Sequence, residues 1–96
     1  MREIFYGDFR EIVIRHYREI AAGDPDFQST EWFLLRYLKR IENAADPPVV
    51  PGRLENSMRG FIRFYVDRID EQSELGRTCV SIYGEYRKTL RSAQEG

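Results

Sequence analysis

One cysteine and one histidine occur in the 96 residues of this chain. A lone Cys79 forms no internal disulfide and no cysteine-based zinc site, which points to a reducing compartment; the expected location is the cytoplasm. No fully apolar run is longer than Trp32-Phe33-Leu34-Leu35, far short of the roughly 20 residues that cross a bilayer. The opening Met1-Arg2-Glu3-Ile4 carries an acid where a secretory leader needs a basic region and then an apolar stretch, so neither membrane nor export is expected. Neither sign of charge dominates: 15 Lys plus Arg against 16 Asp plus Glu leave a formal net charge of -1. The molecule as a whole therefore has no pull towards nucleic acid or an anionic membrane, and any such role needs a local patch. Repeats and low-complexity runs are also missing, and two domains would need about 200 residues. A single helical domain over 1–96 is expected.

The apolar residues recur every three or four positions, with no strand-like alternation, which predicts an all-α fold. In the first segment Phe5, Phe9, Ile12, Val13, His16, Tyr17 and Ile20 share one side of a helix; Asp8 with Glu11 reads as a capping box at its start and Gly23 as its stop. The spacing leaves open whether residues 2–7 join that helix. Asp24-Pro25-Asp26 signals a second start, with Asp24 as N-cap and Pro25 in the first turn, and Ser29 is a second candidate cap. The predicted core stripe of helix two is Phe27, Leu34, Leu38 and Ile41, flanked by Trp32, Phe33 and Tyr37. That helix ends before Asp46-Pro47-Pro48, and 46–52 reads as a short, semi-rigid connection. Helix three is predicted over about 54–72, with Met58, Phe61, Ile62, Tyr65 and Ile69 inward, and helix four over about 74–93, with Leu75, Cys79, Ile82, Tyr83, Tyr86 and Leu90 inward. The expected architecture is a compact antiparallel bundle of four helices. Because the heptad-like phase from Met58 to Leu90 never breaks, the alternative is three helices with one long C-terminal helix, which would have to dimerise to cover its stripe.

Candidate chemistry is thin. His16 and Glu19 stand at a helical spacing able to share a metal, but a di-iron bundle needs two Glu-x-x-His pairs and two further carboxylates; a histidine at the margin of the apolar stripe making one hydrogen bond accounts for the pair. Asp67, Asp70, Glu71 and Glu74 would act on a cation or as acid and base only if they converged in a cleft, whereas a solvated turn has the same composition. Cys79 sits in an apolar stripe without a basic neighbour, the pattern of a buried small hydrophobe. Arg77, Arg87, Lys88 and Arg91 form the one one-sided basic stripe seen in the sequence, on the outer face of helix four. It is a candidate nucleic-acid contact that lacks an aromatic stacking platform, and a solvated face reads the same way. No catalytic residue, cofactor or metal is expected.

Aromatic residues are the anomaly, at 14% of the chain. Trp32 to Leu35 cover most of the circumference of helix two, so one core cannot bury all four. Phe64 and Val66 lie outside the main stripe of helix three, and Ile14 interrupts the polar face of helix one. Arginine outnumbers lysine 13 to 2, and arginine with aromatic rings is the composition of interface hot spots. The expected function is therefore a non-catalytic protein-interaction module acting through an aromatic, arginine-rich helix face, with Ile14, Trp32, Leu35, Phe64 and Val66 at the interface. The expected partner is a second copy of the chain, in a two-fold dimer through the surface around Trp32 and Leu35 or through Phe64, with another protein as the second choice. The alternative is a nucleic-acid-associated protein using the stripe on helix four.

Overall fold

The computed structural model describes residues 4–95, the last three of these by backbone alone. Four helices carry the described chain: α1 (Gly7–Ala21), α2 (Thr30–Ala44), α3 (Pro51–Arg68) and α4 (Glu74–Glu95). α1 packs on α2, α2 on α3, α3 on α4 and α4 back on α1, which closes a ring; α4 is held least extensively. Side-chain contacts fix the directions. Arg10 near the start of α1 reaches Glu42 and Asp46 at the end of α2, Phe33 early in α2 meets Phe64 late in α3, and Phe9 meets Tyr86 late in α4. Neighbours therefore run antiparallel, as short connections require. The radius of gyration, 13.3 Å, is near the roughly 13 Å of a compact 100-residue chain.

The apolar stripes meet along the axis. Phe9, Val13, Leu34, Leu38, Ile41, Leu54, Met58, Phe61, Cys79 and Ile82 are essentially inaccessible to solvent and belong to one cluster. Burial of each large side chain contributes roughly 1.5–3 kcal/mol. Two inward assignments fail: Phe5 and Phe27 are each 73% exposed. Tyr83 is also more exposed than its stripe position implies.

Several boundaries differ from expectation for identifiable reasons. α1 begins at Gly7 behind Tyr6, with no side-chain cap, so the Asp8–Glu11 capping box does not form; residues 4–6 precede the helix. At its end the chain tightens through Gly23 N–H to Ile20 carbonyl (3.1 Å) and Asp24 N–H to Ala21 carbonyl (3.0 Å). The left-handed residue that then turns the chain is Asp24, at φ 49°, and not Gly23. A left-handed Asp24 cannot hold the extended geometry an N-cap needs. Ser29 holds it, at φ -70° and ψ 168°, and its hydroxyl accepts from Trp32 N–H, so α2 starts there and Phe27 stays in the loop. α3 starts earlier than predicted because Pro51 occupies its first turn, where a missing N–H costs nothing.

The last two helices are separate. α3 ends at Arg68; Ile69 is extended at φ -119° and ψ 129°, and Ser73 restarts the helix by accepting Gly76 N–H at 3.0 Å while donating to the Asp70 carbonyl. Gly76, which by sequence looks like a weak point of a continuous helix, is what this turn requires. A side chain there would collide with the Asp70 carbonyl and come within 2.8 Å of the Glu71 backbone.

Candidate functional site

Of Trp32-Phe33-Leu34-Leu35, only Leu34 is fully buried; the other three are half-buried. The reason is geometric: four consecutive helical residues span the circumference, and α2 has neighbours on two sides only. Their rings join into one array. Phe27 packs edge-on against Trp32 at 4.9 Å between ring centres, Trp32 edge-on against Phe33 at 5.0 Å, and Phe33 approaches Phe64 at 6.4 Å. Phe64 in turn stacks on Tyr37 at 4.9 Å and 22° between planes. The array thus runs from the α1–α2 loop across α2 to α3, and each such pair adds about 0.5–1.5 kcal/mol beyond its buried area.

Cations lie over these rings. The Arg36 guanidinium is 5.1 Å from the Trp32 ring centre, Lys39 Nζ 5.4 Å from Tyr17, and the Arg40 guanidinium 5.4 Å from Tyr37. Tyr17, Trp32, Leu35, Arg36, Lys39, Arg40 and Asn43 line an open groove of about 410 Å³ along the outside of α2. The acid on this stretch, Glu42, is already engaged: Lys39 Nζ lies 3.3 Å from it and Arg10 3.7 Å. Among the described residues Arg36 and Arg40 have no carboxylate within ion-pair distance. This second basic face escaped the sequence reading. Its signal was present, since positions 36, 39, 40 and 43 follow helical spacing beside Trp32 and Leu35.

The five residues singled out for an interface do not form one patch. Trp32 and Leu35 share the groove, and Phe64 connects to Trp32 through the Phe33 ring, although it also packs against the core. Val66, 70% exposed, lies elsewhere, in a shallow strip with Arg59, Ile62, Arg63 and Asp67. Ile14 is half-buried on α1 and lines neither surface. On α4, Arg77, Arg87, Lys88 and Arg91 are all exposed. Arg87 is folded onto Tyr83, donating to its hydroxyl at 3.0 Å with the guanidinium 5.8 Å from the ring centre.

The remaining candidates carry little chemistry. His16 Nδ1 stands 3.7 Å from a Glu19 carboxylate oxygen, too far for a hydrogen bond, and is buried without a partner, so the single hydrogen bond expected of it is not formed. Asp67, Asp70, Glu71 and Glu74 are exposed; Asp70 accepts Gln72 N–H at 3.0 Å and helps to shape the turn. Among the described residues no three potential ligands converge on a metal position. Cys79 is buried, and desolvation pushes its thiol up to about 12, the reverse of what a reactive thiolate needs. Among the described residues no helix is long and apolar enough to cross a membrane. No family model, no curated protein and no solved structure matches the chain.

Proposed function

We propose that the protein is a non-catalytic interaction module that binds another protein through the groove-bearing face of α2. The observation that carries this reading is the half-burial of Trp32 and Leu35 in a groove lined by Arg36 and Arg40, which have no acidic partner among the described residues. Large apolar side chains in a concave site, rimmed by cations already positioned by ring contacts, are the composition of binding hot spots. The loop before α2 supports it. Asp24 and Gln28 both adopt positive φ, 49° and 62°, a conformation uncommon for residues other than glycine, and between them the exposed Phe27 is held against Trp32.

A two-fold dimer across this face would set Arg36 and Arg40 against their own copies, so like-charge repulsion favours a different protein there. The strip around Ile62 and Val66, which Arg59 and Arg63 line, meets the same objection. The exposed stripe on α4 has no ring free to stack a base, which leaves nucleic acid as the lesser reading. A reducing cytoplasmic setting suits the unpaired Cys79 thiol.

The test separates a partner face from a loosely covered core. Leu35→Ala is expected to lower stability in urea by about 1 kcal/mol, Trp32→Ala, which also loses two ring pairs, by about 2–3 kcal/mol, and Leu34→Ala by about 3–5 kcal/mol, the range for emptying a core site. A core-sized loss for both Trp32→Ala and Leu35→Ala would assign these side chains to the fold and remove the proposal.

A further inference from the structure

Resting on that reading, we infer that the groove along α2 receives an acidic amphipathic helix of a partner protein. Charge complementarity argues for the acid. Arg36 and Arg40 lie over Trp32 and Tyr37, which leaves the N–H edges of each guanidinium free to fork a carboxylate, with part of the side-chain entropy already lost. The local carboxylate of Glu42 is taken by Lys39 and Arg10 and does not compete.

Spacing argues for the helix. Arg36 and Arg40 are one turn apart on α2, about 5–6 Å between Cβ atoms, so two acids one turn apart on a partner helix lying along α2 match both arginines at once. The lined stretch from Trp32 to Asn43 rises about 16 Å, some three helical turns. Leu35, Trp32 and Tyr17 then meet an apolar stripe on the partner next to its acids, the helix-in-groove mode of recognition.

Two other occupants fit less well. A second copy would bring Arg36 and Arg40 against like charges. A single-stranded nucleic acid needs open ring faces for its bases, whereas Trp32 is covered by Arg36 on a face and flanked by Phe27 and Phe33.

The probe is a displayed library of helical peptides without tryptophan, selected on the immobilised protein. Binding is then measured through the emission of Trp32, the one tryptophan of the chain. Enriched peptides are expected to carry Asp or Glu at i and i+4 beside apolar residues and to shift Trp32 emission saturably. They should bind Arg36→Glu/Arg40→Glu at least about 100-fold more weakly, and Arg36→Gln/Arg40→Gln should show an intermediate loss. Circular dichroism equal to wild type is the check that both variants are folded. Peptides that shift Trp32 emission but show no acidic bias, or that bind the charge-reversed protein undiminished, overturn the acidic helix while leaving an interaction module standing. A library that yields no binder overturns both. Tighter binding of a poly-dT oligonucleotide, lost in the charge-reversed protein, reassigns the face to nucleic acid; a peptide-free dimer that itself buries Trp32 reassigns it to a second copy.

Discussion

Along the outside of α2 runs a groove of about 410 Å³, and between α3 and α4 one of about 370 Å³, so size does not separate them. Their rims do. At the α3–α4 groove Arg59 pairs with Glu55 at 2.9 Å and Arg87 donates to the Tyr83 hydroxyl, so its cations have partners within the chain. At the α2 groove Arg36 and Arg40 rest on rings and have no carboxylate partner among the described residues. The floors differ as well: Met58, Ile62, Tyr86 and Leu90 below one, Trp32 and Leu35 in the other. A cleft whose charges are already paired behaves as an unfilled seam between helices. On the proposed reading, one whose cations are oriented but unpaired awaits an outside anion, and rim pairing is then what would divide the two grooves.

The largest expected effect that separates the two sides is at Gly76. Adding a methyl group forces it against the Asp70–Glu71 backbone, so the turn that joins α3 to α4 must shift. Gly76→Ala is expected to cost about 2–3 kcal/mol, the upper part of the range for overpacking, because the atoms it meets are backbone. It should disturb the α3–α4 side while leaving Trp32 emission in the folded state unchanged. Urea unfolding with fluorescence checks both; altered native Trp32 emission would show that the two grooves are coupled and do not act as separate surfaces.

A smaller effect concerns Cys79, which reports on the α4 side as Trp32 reports on the α2 groove. Its thiol ionises near 9.0 when unfolded and near 12 when folded, through burial. A raised folded pKa means that the associated stability is fully present below pH 9 and is lost as pH rises from about 9 towards 12. At pH 10 the loss relative to neutral pH is expected to be about 1 kcal/mol. Burial also raises Tyr6 and Tyr86, so the contribution is read as the difference between wild type and Cys79→Ala, in which the tyrosines are common. Thiol labelling should be slow in the native protein and should accelerate along the same urea transition as Trp32 emission. Labelling well ahead of that transition would mean that α4, the least extensively held helix, opens alone.

What could be read from the sequence depends on the range of each interaction. Stripes such as Leu34, Leu38 and Ile41 record a 3.6-residue period set by the backbone, and they placed the four helices and most of the core. Starts were harder where two local signals competed. Asp24-Pro25 has the right residues for a cap, yet a left-handed Asp24 and Gln28 gave the helix start to Ser29 and put Phe27 outside. Gly76 counted rightly against a continuous helix, but what it is for, room for the backbone of the preceding turn, was not readable from the sequence. At the candidate face, Trp32 and Leu35 were readable from circumference alone. Arg36 and Arg40 were not, because being unpaired depends on where Arg10 of α1 and Glu42 come together.

The smallest expected effect in stability discriminates most finely between the two grooves. Glu55→Gln removes the carboxylate partner of Arg59. Both side chains are exposed, and an i, i+4 pair of this kind is worth about 0.5 kcal/mol or less, so urea unfolding should scarcely change. The rim of the α3–α4 groove, where Arg87 already has only the Tyr83 hydroxyl, would then hold no arginine paired to a carboxylate, as the α2 groove holds none among the described residues. If pairing of the rim charges is what distinguishes the two, Glu55→Gln should give the α3–α4 side a weak affinity for the acidic helical peptides, measured with Arg36→Glu/Arg40→Glu in the same chain to silence the α2 groove. Binding that reappears in this triple variant makes charge pairing the discriminating property. Its complete absence would place the distinction in the ring-supported, untethered geometry of Arg36 and Arg40, since Arg59 is exposed on α3 with no ring beneath it among the contacts of the described residues and Arg87, which does lie over a ring, is tied to the Tyr83 hydroxyl.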